Sequence, residues 1–211
     1  MIRKVNPTRI NLLNLKRELK VARRGHKLLK DKRDGLMKKF MGTIRRTKEL
    51  RGAVEEEMSD LFRSYTRASV AMSRTSVSTA FMLPNARITI DVTNASIMSV
   101  ETPLFTLKRE GSLLSYGMLE THGELDAAIV KLDALFPHLI ELAQLEKTIT
   151  NLATEIERTR RRASALENTR IPSLASAIRF ITSRLEEQAR DTIVGAMRIK
   201  AMIVAKELQT V

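Results

Sequence analysis

Residues 6–40 read NPTRINLLNLKRELKVARRGHKLLKDKRDGLMKKF, and this stretch decides the fold. Its apolar residues are spaced three, four or seven residues apart: Leu12, Leu15, Leu19, Ala22, Leu29, Leu36 and Phe40. A repeat of about 3.5 residues places one apolar stripe along a helix that pairs with a second helix. Asn6 followed by Pro7 marks the helix start, because Asn caps helices and proline suits the first helical position.

The other faces of this helix carry an excess of positive charge. Residues 1–52 contain 18 Lys and Arg against 4 Asp and Glu, a net charge of +14, whereas the whole chain has +13. Like charges at neighbouring positions of a helix are destabilising. So dense a basic surface therefore favours an external anionic partner, which is nucleic acid, an acidic membrane surface or an acidic protein cavity.

The apolar stripe continues beyond Phe40 and predicts a first helix from about Asn6 to about Met72. The stripe is weak at Thr47 and Arg51. It recovers at Val54, Met58, Leu61, Tyr65, Ala68 and Met72.

Residues 79–117 form a predicted β insertion. Arg87 to Val92 alternates apolar and polar residues, as a half-buried strand does. Asn94 to Ser96 is predicted to be a turn, and Ile97–Val100 and Leu104–Leu107 are predicted to be further strands. So small a sheet needs the support of the helices or of a partner.

A second apolar stripe predicts a helix that starts within residues 118–125 and runs to near the end of the chain. Thr121 and Glu124 have the spacing of a capping box at its start. Pro137 and Pro172 interrupt the stripe, but the apolar phase recovers within a turn after each. The two prolines are therefore expected to bend this helix without ending it.

Together these elements predict a mainly α fold: a long antiparallel two-helix coiled coil with a small β-hairpin insertion at the far end. The expected parts are an N-terminal long helix (1–78), the β insertion (79–117) and a C-terminal long helix (118–211). Both termini then lie at the end opposite the insertion. The predicted coiled-coil seam consists of Leu12, Leu15, Leu19, Leu29, Leu36, Ile178, Ile181 and Leu185.

Nothing in the sequence indicates catalysis, a metal site or a cofactor. His26, His122 and His138 are far apart and lack metal-ligand spacing, and the chain has no cysteine. His26 is expected to pack on the seam. The sequence has no apolar run of about 18 residues and no apolar signal segment, so the expected location is the cytoplasm.

Five motifs follow one another along the chain: NPTR at 6–9, RGHKLLKDKRDGL at 24–36, SIMSVETP at 96–103, RRRASALENTRIPSL at 160–174 and LEE at 185–187. Together they are very similar to the D subunit of the V-type/A-type ATPase and ATP synthase family, in the same order and over nearly the whole chain. Where that family usually has Val-Asn, this sequence has Ala163-Ser164, a mild departure.

The resemblance implies a central rotor shaft that is not itself an enzyme. In this family the two terminal helices enter the cavity of the catalytic A/B hexamer, and the lower part binds the F subunit and docks on the subunit over the membrane ring. Such a shaft couples ATP hydrolysis or synthesis to proton or sodium transport, as a cytoplasmic subunit peripheral to the membrane. Two sets of residues are then expected to act: Arg23, Arg24, Lys27 and Lys30 as a hexamer-facing basic surface, and Leu15, Leu19, Ile178 and Ile181 as facing seam residues.

Two interpretations from other classes remain open at this point. A pI of about 10.4 also suits a nucleic-acid-binding coiled coil, although only Phe40 and Tyr65 lie near basic residues as stacking platforms. A structural tether would need binding at its two ends and no rotation.

Overall fold

The computed structural model describes residues 6–82, 85–114, 116–117 and 121–209. Its elements are, in chain order, helix α1 (Arg9–Ala71), helix α2 (Arg74–Ala80), strands β1 (Arg87–Ile97) and β2 (Val100–Glu110), helix α3 (Gly123–Ala165), a π-helical segment (Leu166–Arg170) and helix α4 (Ile171–Gln209). The prediction of a mainly α coiled coil with a small antiparallel β-hairpin is therefore confirmed.

Helix α1 is one continuous helix of 63 residues that ends at Ala71, one residue before the predicted end. Its start differs from the prediction in detail. The Thr8 hydroxyl oxygen, and not the Asn6 side chain, accepts a hydrogen bond from the Asn11 backbone N–H at 3.3 Å. The Asn6 carbonyl accepts a second bond at 2.9 Å from the Asn11 side-chain amide. Thr8 caps the helix because it is the last residue outside it and its hydroxyl reaches the free N–H groups of the first turn.

The seam of α1 passes through two polar residues. Thr47, where the stripe is weak, is buried, and its hydroxyl donates to the Thr43 carbonyl at 2.9 Å. The placement of Tyr65 on the seam was wrong, because Tyr65 is 37% exposed whereas Ser64 is 2% exposed. A three-then-four step from Leu61 through Ser64 to Ala68 keeps the seam in register, and the small Ser64 leaves room for a side chain from the opposite helix.

The second long helical region begins later than its predicted cap. Helix α3 starts at Gly123, and the Glu124 N–H donates to the His122 ring nitrogen Nδ1 at 3.3 Å. The Thr121–Glu124 capping box was wrong, because the Thr121 hydroxyl instead donates to the Gly117 carbonyl at 3.1 Å. His122 therefore takes the capping position that the sequence pattern assigned to Thr121.

Helical conformation continues through both prolines of this region, as predicted. Pro137 lies inside α3, and Pro172 is the second residue of α4. Directly before Pro172 the backbone adopts the π-helical segment, in which the Ile171 N–H donates to the Leu166 carbonyl, five residues back. Because proline has no N–H to donate, a widened turn is a physical way to pass it without ending the helix.

The hairpin formed by β1 and β2 is longer and more regular than predicted. The two strands pair without interruption from Arg87 opposite Glu110 to Ile97 opposite Val100. The predicted turn at residues 94–96 was wrong, because these residues belong to β1 and the chain turns at residues 98–99. Met98 (φ 52°) and Ser99 (φ 67°) both have positive φ, as a two-residue type I′ hairpin turn requires.

The chain divides into two compact units, of which the first combines two segments that are distant in sequence and the second is one continuous segment. The first unit contains Met1–Arg33 and Arg158–Val211, and the second contains Asp34–Glu157. The second unit has two apolar clusters. One consists of Leu36, Val100, Leu152 and Ile156 with Phe40, and the other of Ala68, Leu125 and Ile129 with Met72, Ala80, Leu113 and Tyr116.

Candidate functional surfaces

The predicted basic surface consists of Arg23, Arg24, Lys27 and Lys30 on α1. All four side chains are exposed, and none of them forms an ion pair with another residue in the described part of the chain. Their charge is therefore not balanced by described neighbours. A surface of this kind attracts an anionic partner, and its effect weakens as salt screens it.

In the first unit, the predicted seam residues differ in burial. Ile181 is fully buried, and Leu174, two turns earlier on α4, is 5% exposed. The remaining seam residues of this unit are half-buried: Leu12, Leu15, Leu19, Leu29, Ile178 and Leu185. Leu36, the one predicted seam residue of the second unit, is fully buried. Among the predicted seam residues of the first unit, Ile181 of α4 is therefore better covered than the rest.

The π-helical segment supplies two polar contacts to α1 within the first unit. Arg170 pairs with Glu18 at 2.9 Å, and Glu167 approaches the His26 ring nitrogen Nε2 at 3.4 Å. His26 therefore packs at the helix–helix contact, as the sequence predicts. Neither contact was predicted, although Pro172 was a signal that the helix changes nearby. Across the described residues, no group of three or more His, Asp or Glu is placed to hold a metal ion.

In the second unit, polar contacts between α1 and α3 have an antiparallel order. Glu57 pairs with the His138 ring nitrogen Nδ1 at 2.9 Å, and Arg67, further along α1, pairs with Glu124, earlier on α3, at 3.6 Å. Between them, the Lys131 ammonium donates to the Ser64 hydroxyl at 2.9 Å. Two further ion pairs join these helices: Arg46 with Glu141 and Arg51 with Glu146.

Strand β2 is fastened to α3 by three polar contacts. The Phe105 N–H donates to the side-chain oxygen of Gln144, and the Asn151 side-chain amide donates to the Glu101 carbonyl, both at 2.9 Å. Arg109 forms an ion pair with Asp133. The hairpin, which is inserted in the chain after α1 and α2, therefore lies alongside α3 over residues 133–151.

The hairpin tip also contacts α1. Val100 belongs to the buried cluster of Leu36, Leu152 and Ile156. The side chain of Met98 lies over Gly35, where a Cβ atom would come within 2.8 Å of the Met98 methyl carbon. Because Gly35 has no side chain, the Met98 side chain is able to lie close against α1 at the hairpin tip.

One tyrosine is fixed where the chain returns from the hairpin to α3. The Tyr116 hydroxyl donates to the Asp126 carboxylate. Burial raises the pKa of Tyr116 above its ordinary value, and the bond to Asp126 and the charge of its carboxylate raise the pKa further. Tyr116 therefore stays protonated at neutral pH and remains a donor that helps to hold the start of α3.

The long paired helices and the docked β-hairpin place this chain in the class of coiled-coil proteins. The sequence model of the ATP synthase D subunit family matches residues 11–201. The V-type ATP synthase D subunit of Clostridium botulinum (strain Langeland) is 46% identical over 208 residues, which cover 96% of each chain. That of Acetivibrio thermocellus is 46% identical over 207 residues, covering 96% of this chain and 93% of its own. That of Thermoanaerobacter sp. (strain X514) is 44% identical over 202 residues, covering 95% and 97%.

The chain therefore belongs to the ATP synthase D subunit family. It is a non-catalytic subunit of a rotary ATPase of the V type, as the motifs of its sequence predicted. Among the helices within the described residues, none has a stretch long and apolar enough to cross a membrane.

Proposed function

We propose that the chain is the central rotor shaft of a V/A-type rotary ATPase or ATP synthase. It turns inside the A/B catalytic hexamer and couples ATP hydrolysis or synthesis there to proton or sodium transport through the membrane ring. The observation that carries this proposal is the similarity to D subunits of V-type ATP synthases over 96% of the chain, together with helices paired antiparallel within each unit.

The contacts between the helices suit a part that transmits torque. A shaft transmits torque only if its helices turn together, and knobs-into-holes packing couples them. In the second unit, buried Leu36, Val54 and Leu152 provide this packing, and Lys131 bonds to Ser64 across the two helices. In the first unit, the ion pair of Glu18 with Arg170 joins α1 to the region beyond α3.

The partners follow from the same proposal. Arg23, Arg24, Lys27 and Lys30 face acidic walls of the hexamer cavity, where complementary charge speeds and orients seating. The F subunit and the subunit over the membrane ring bind the shaft elsewhere. The shaft itself holds no cofactor and works as a cytoplasmic subunit, peripheral to the membrane through the complex.

Single-molecule rotation is the direct test. The chain has no cysteine, so a single cysteine at an exposed position such as Ser59 accepts a bead on the immobilised complex. We expect the bead to rotate in one direction when ATP is added and to stop when ATP is exhausted. Hydrolysis of ATP with a stationary bead, at full rate, would instead identify the chain as a tether.

A matched cross-linking experiment separates the shaft from the tether without a bead. A reversible disulfide between the chain and the hexamer wall should stop ATP hydrolysis, and reduction should restore it. A tether would tolerate the same bond. Tight binding of RNA by the purified chain at physiological salt would favour the nucleic-acid-binding alternative that its basic surface allows.

A further inference from the structure

The two edges of the β-hairpin differ in how their backbone groups are satisfied. On β2, the Phe105 N–H and the Glu101 carbonyl both bond to side chains of α3, so these residues direct their backbone groups away from β1. Pro103 lies between them at a position of the same kind and has no N–H to satisfy. Helix α3 therefore closes the β2 edge.

The outer edge of β1 is open. In an antiparallel pair, two residues that face each other without exchanging hydrogen bonds both direct their N–H and C=O groups outward. Phe105 faces Val92, Pro103 faces Asn94, and Glu101 faces Ser96. The backbone groups of Val92, Asn94 and Ser96 therefore point away from the hairpin, as do those of Ile88 and Ile90 by alternation. None of these groups bonds to another residue that the structure describes.

This edge has few of the features that usually prevent strand addition. Proteins protect open edges with charged side chains, especially lysine, and with proline, bulges or very short strands. Strand β1 has 11 residues, contains no proline or lysine, and pairs with β2 without a bulge; its two charged residues are Arg87, at its first position, and Asp91. Ile90 and Val92 are 45% and 61% exposed. On the other face, Asp91 forms an ion pair with Lys108 at 2.6 Å. The hydrogen bond to Asp91 and the negative charge of its carboxylate raise the pKa of Lys108.

We propose that the outer edge of β1 binds one extended segment of another polypeptide, which adds to the hairpin as its third strand. A row of free N–H and C=O groups selects an extended backbone, and the flanking side chains select its sequence. The segment alternates apolar and polar residues. Its apolar side chains pack beside Ile90 and Val92, and its polar side chains lie beside Asp91 and Thr93. The proposal rests on the proposed function only because the partner is sought among the subunits of the assembled ATPase.

Amide hydrogen exchange resolved to single residues tests this pairing, with the free chain compared with the purified complex. The outward amides of Ile90, Val92 and Asn94 should exchange at least about tenfold more slowly in the complex. The inward amides of Asp91 and Thr93 bond to β2 and should be slow in both samples. Unchanged exchange of the outward amides in a complex that contains the chain would overturn the proposal.

Two substitutions at one position separate backbone pairing from side-chain contact. Val92→Pro removes an outward N–H and leaves the bonds to β2 in place, whereas Val92→Ala shortens the side chain and keeps the N–H. Val92→Pro should abolish the protection of the Ile90 and Asn94 amides in the complex, and Val92→Ala should retain most of it. Equal effects would overturn strand addition in favour of an apolar contact.

Two controls keep the result interpretable. If Val92→Pro speeds exchange at Asp91 in the free chain, the hairpin itself is damaged, and Val92→Lys, a natural edge-protecting substitution, replaces it with the same expectation. Rotation is measured on the same complexes. Protected outward amides without rotation would support the third strand and refute the rotor shaft. Rotation without protection of these amides would support the rotor shaft and refute the third strand.

Discussion

Replacing Leu36 by Ala tests the coupling of the two long helices to the hairpin. Leu36 is fully buried on α1, and its cluster contains Leu152 and Ile156 of α3 and Val100 of β2. Removing a buried Leu side chain to its Cβ costs about 2–5 kcal/mol, depending on how far the surroundings collapse into the cavity. This cluster is small, with four buried residues and Phe40 packed against it, so we expect about 2–4 kcal/mol.

Urea unfolding of the purified chain measures this loss, and α1 provides a matched control. Leu28 is 69% exposed on the same helix. Leu28→Ala removes the same atoms from a surface position and should change the free energy of unfolding by less than about 0.5 kcal/mol. The slope of free energy against urea should remain unchanged in both variants, so that the midpoint alone reports the difference.

The location of the damage is a second measurement. Since Val100 packs against Leu36, Leu36→Ala should speed amide exchange at the hairpin tip. The region around Ser64 and Lys131 lies outside this cluster and should keep its protection, because distant sites add independently. Equal costs for Leu36→Ala and Leu28→Ala, or faster exchange around Ser64 and not at the tip, would refute the burial-based reasoning.

Three further outcomes are expected. Changing all four residues of the basic surface to Gln should weaken association with the A/B hexamer and flatten its dependence on salt in a binding titration, and an unchanged salt slope would count against electrostatic seating. Gly42→Ala should raise the free energy of unfolding by about 0.5–1 kcal/mol, because a Cβ there meets no atom within 4 Å apart from its chain neighbours and its own helix backbone. Gly35→Ala should gain less, because the Met98 methyl must move. In the otherwise cysteine-free chain, Leu19→Cys should form a disulfide faster with Leu174→Cys than with Ile181→Cys, as measured on a non-reducing gel. The reason is that the ion pair of Glu18 with Arg170 brings the start of α4 level with Leu19. The reverse preference would contradict this alignment of α1 with α4.

The helices were predictable because their signal is local and repeated. Apolar residues at helical spacing need a partner to bury them, and a stripe that runs from Leu12 to Ala68 leaves little choice but a long paired helix. The hairpin strands were predictable in part, from the alternation at Arg87 to Val92. The turn was misplaced because Asn94 to Ser96 are turn formers by type, yet here the long pairing of β1 with β2 determines their conformation.

The docking of the hairpin was not predictable from local patterns. It depends on Gln144 and Asn151 of α3 finding backbone groups of Phe105 and Glu101, about 40 to 50 positions earlier in the chain. Neither side chain has a pattern that distinguishes it from an ordinary exposed helix residue. The close fit of Met98 on Gly35 is of the same kind, since a glycine in a helix predicts weakness and does not name what lies above it.

The polar residues within the seam explain why a stripe that is only partly apolar still holds one alignment. Apolar contacts are non-directional. If one helix slides along the other by one heptad, its apolar side chains therefore exchange one set of contacts for another of similar free energy. A hydrogen bond is lost outright in such a slip, and a buried group left without a partner costs about 1–3 kcal/mol. Ser64, which is 2% exposed, accepts its bond from Lys131 in this alignment of α1 with α3, whereas the exposed pair of His138 with Glu57 adds little. Positions that weaken the sequence signal for a coiled coil therefore determine which residues of the two helices face each other in this unit.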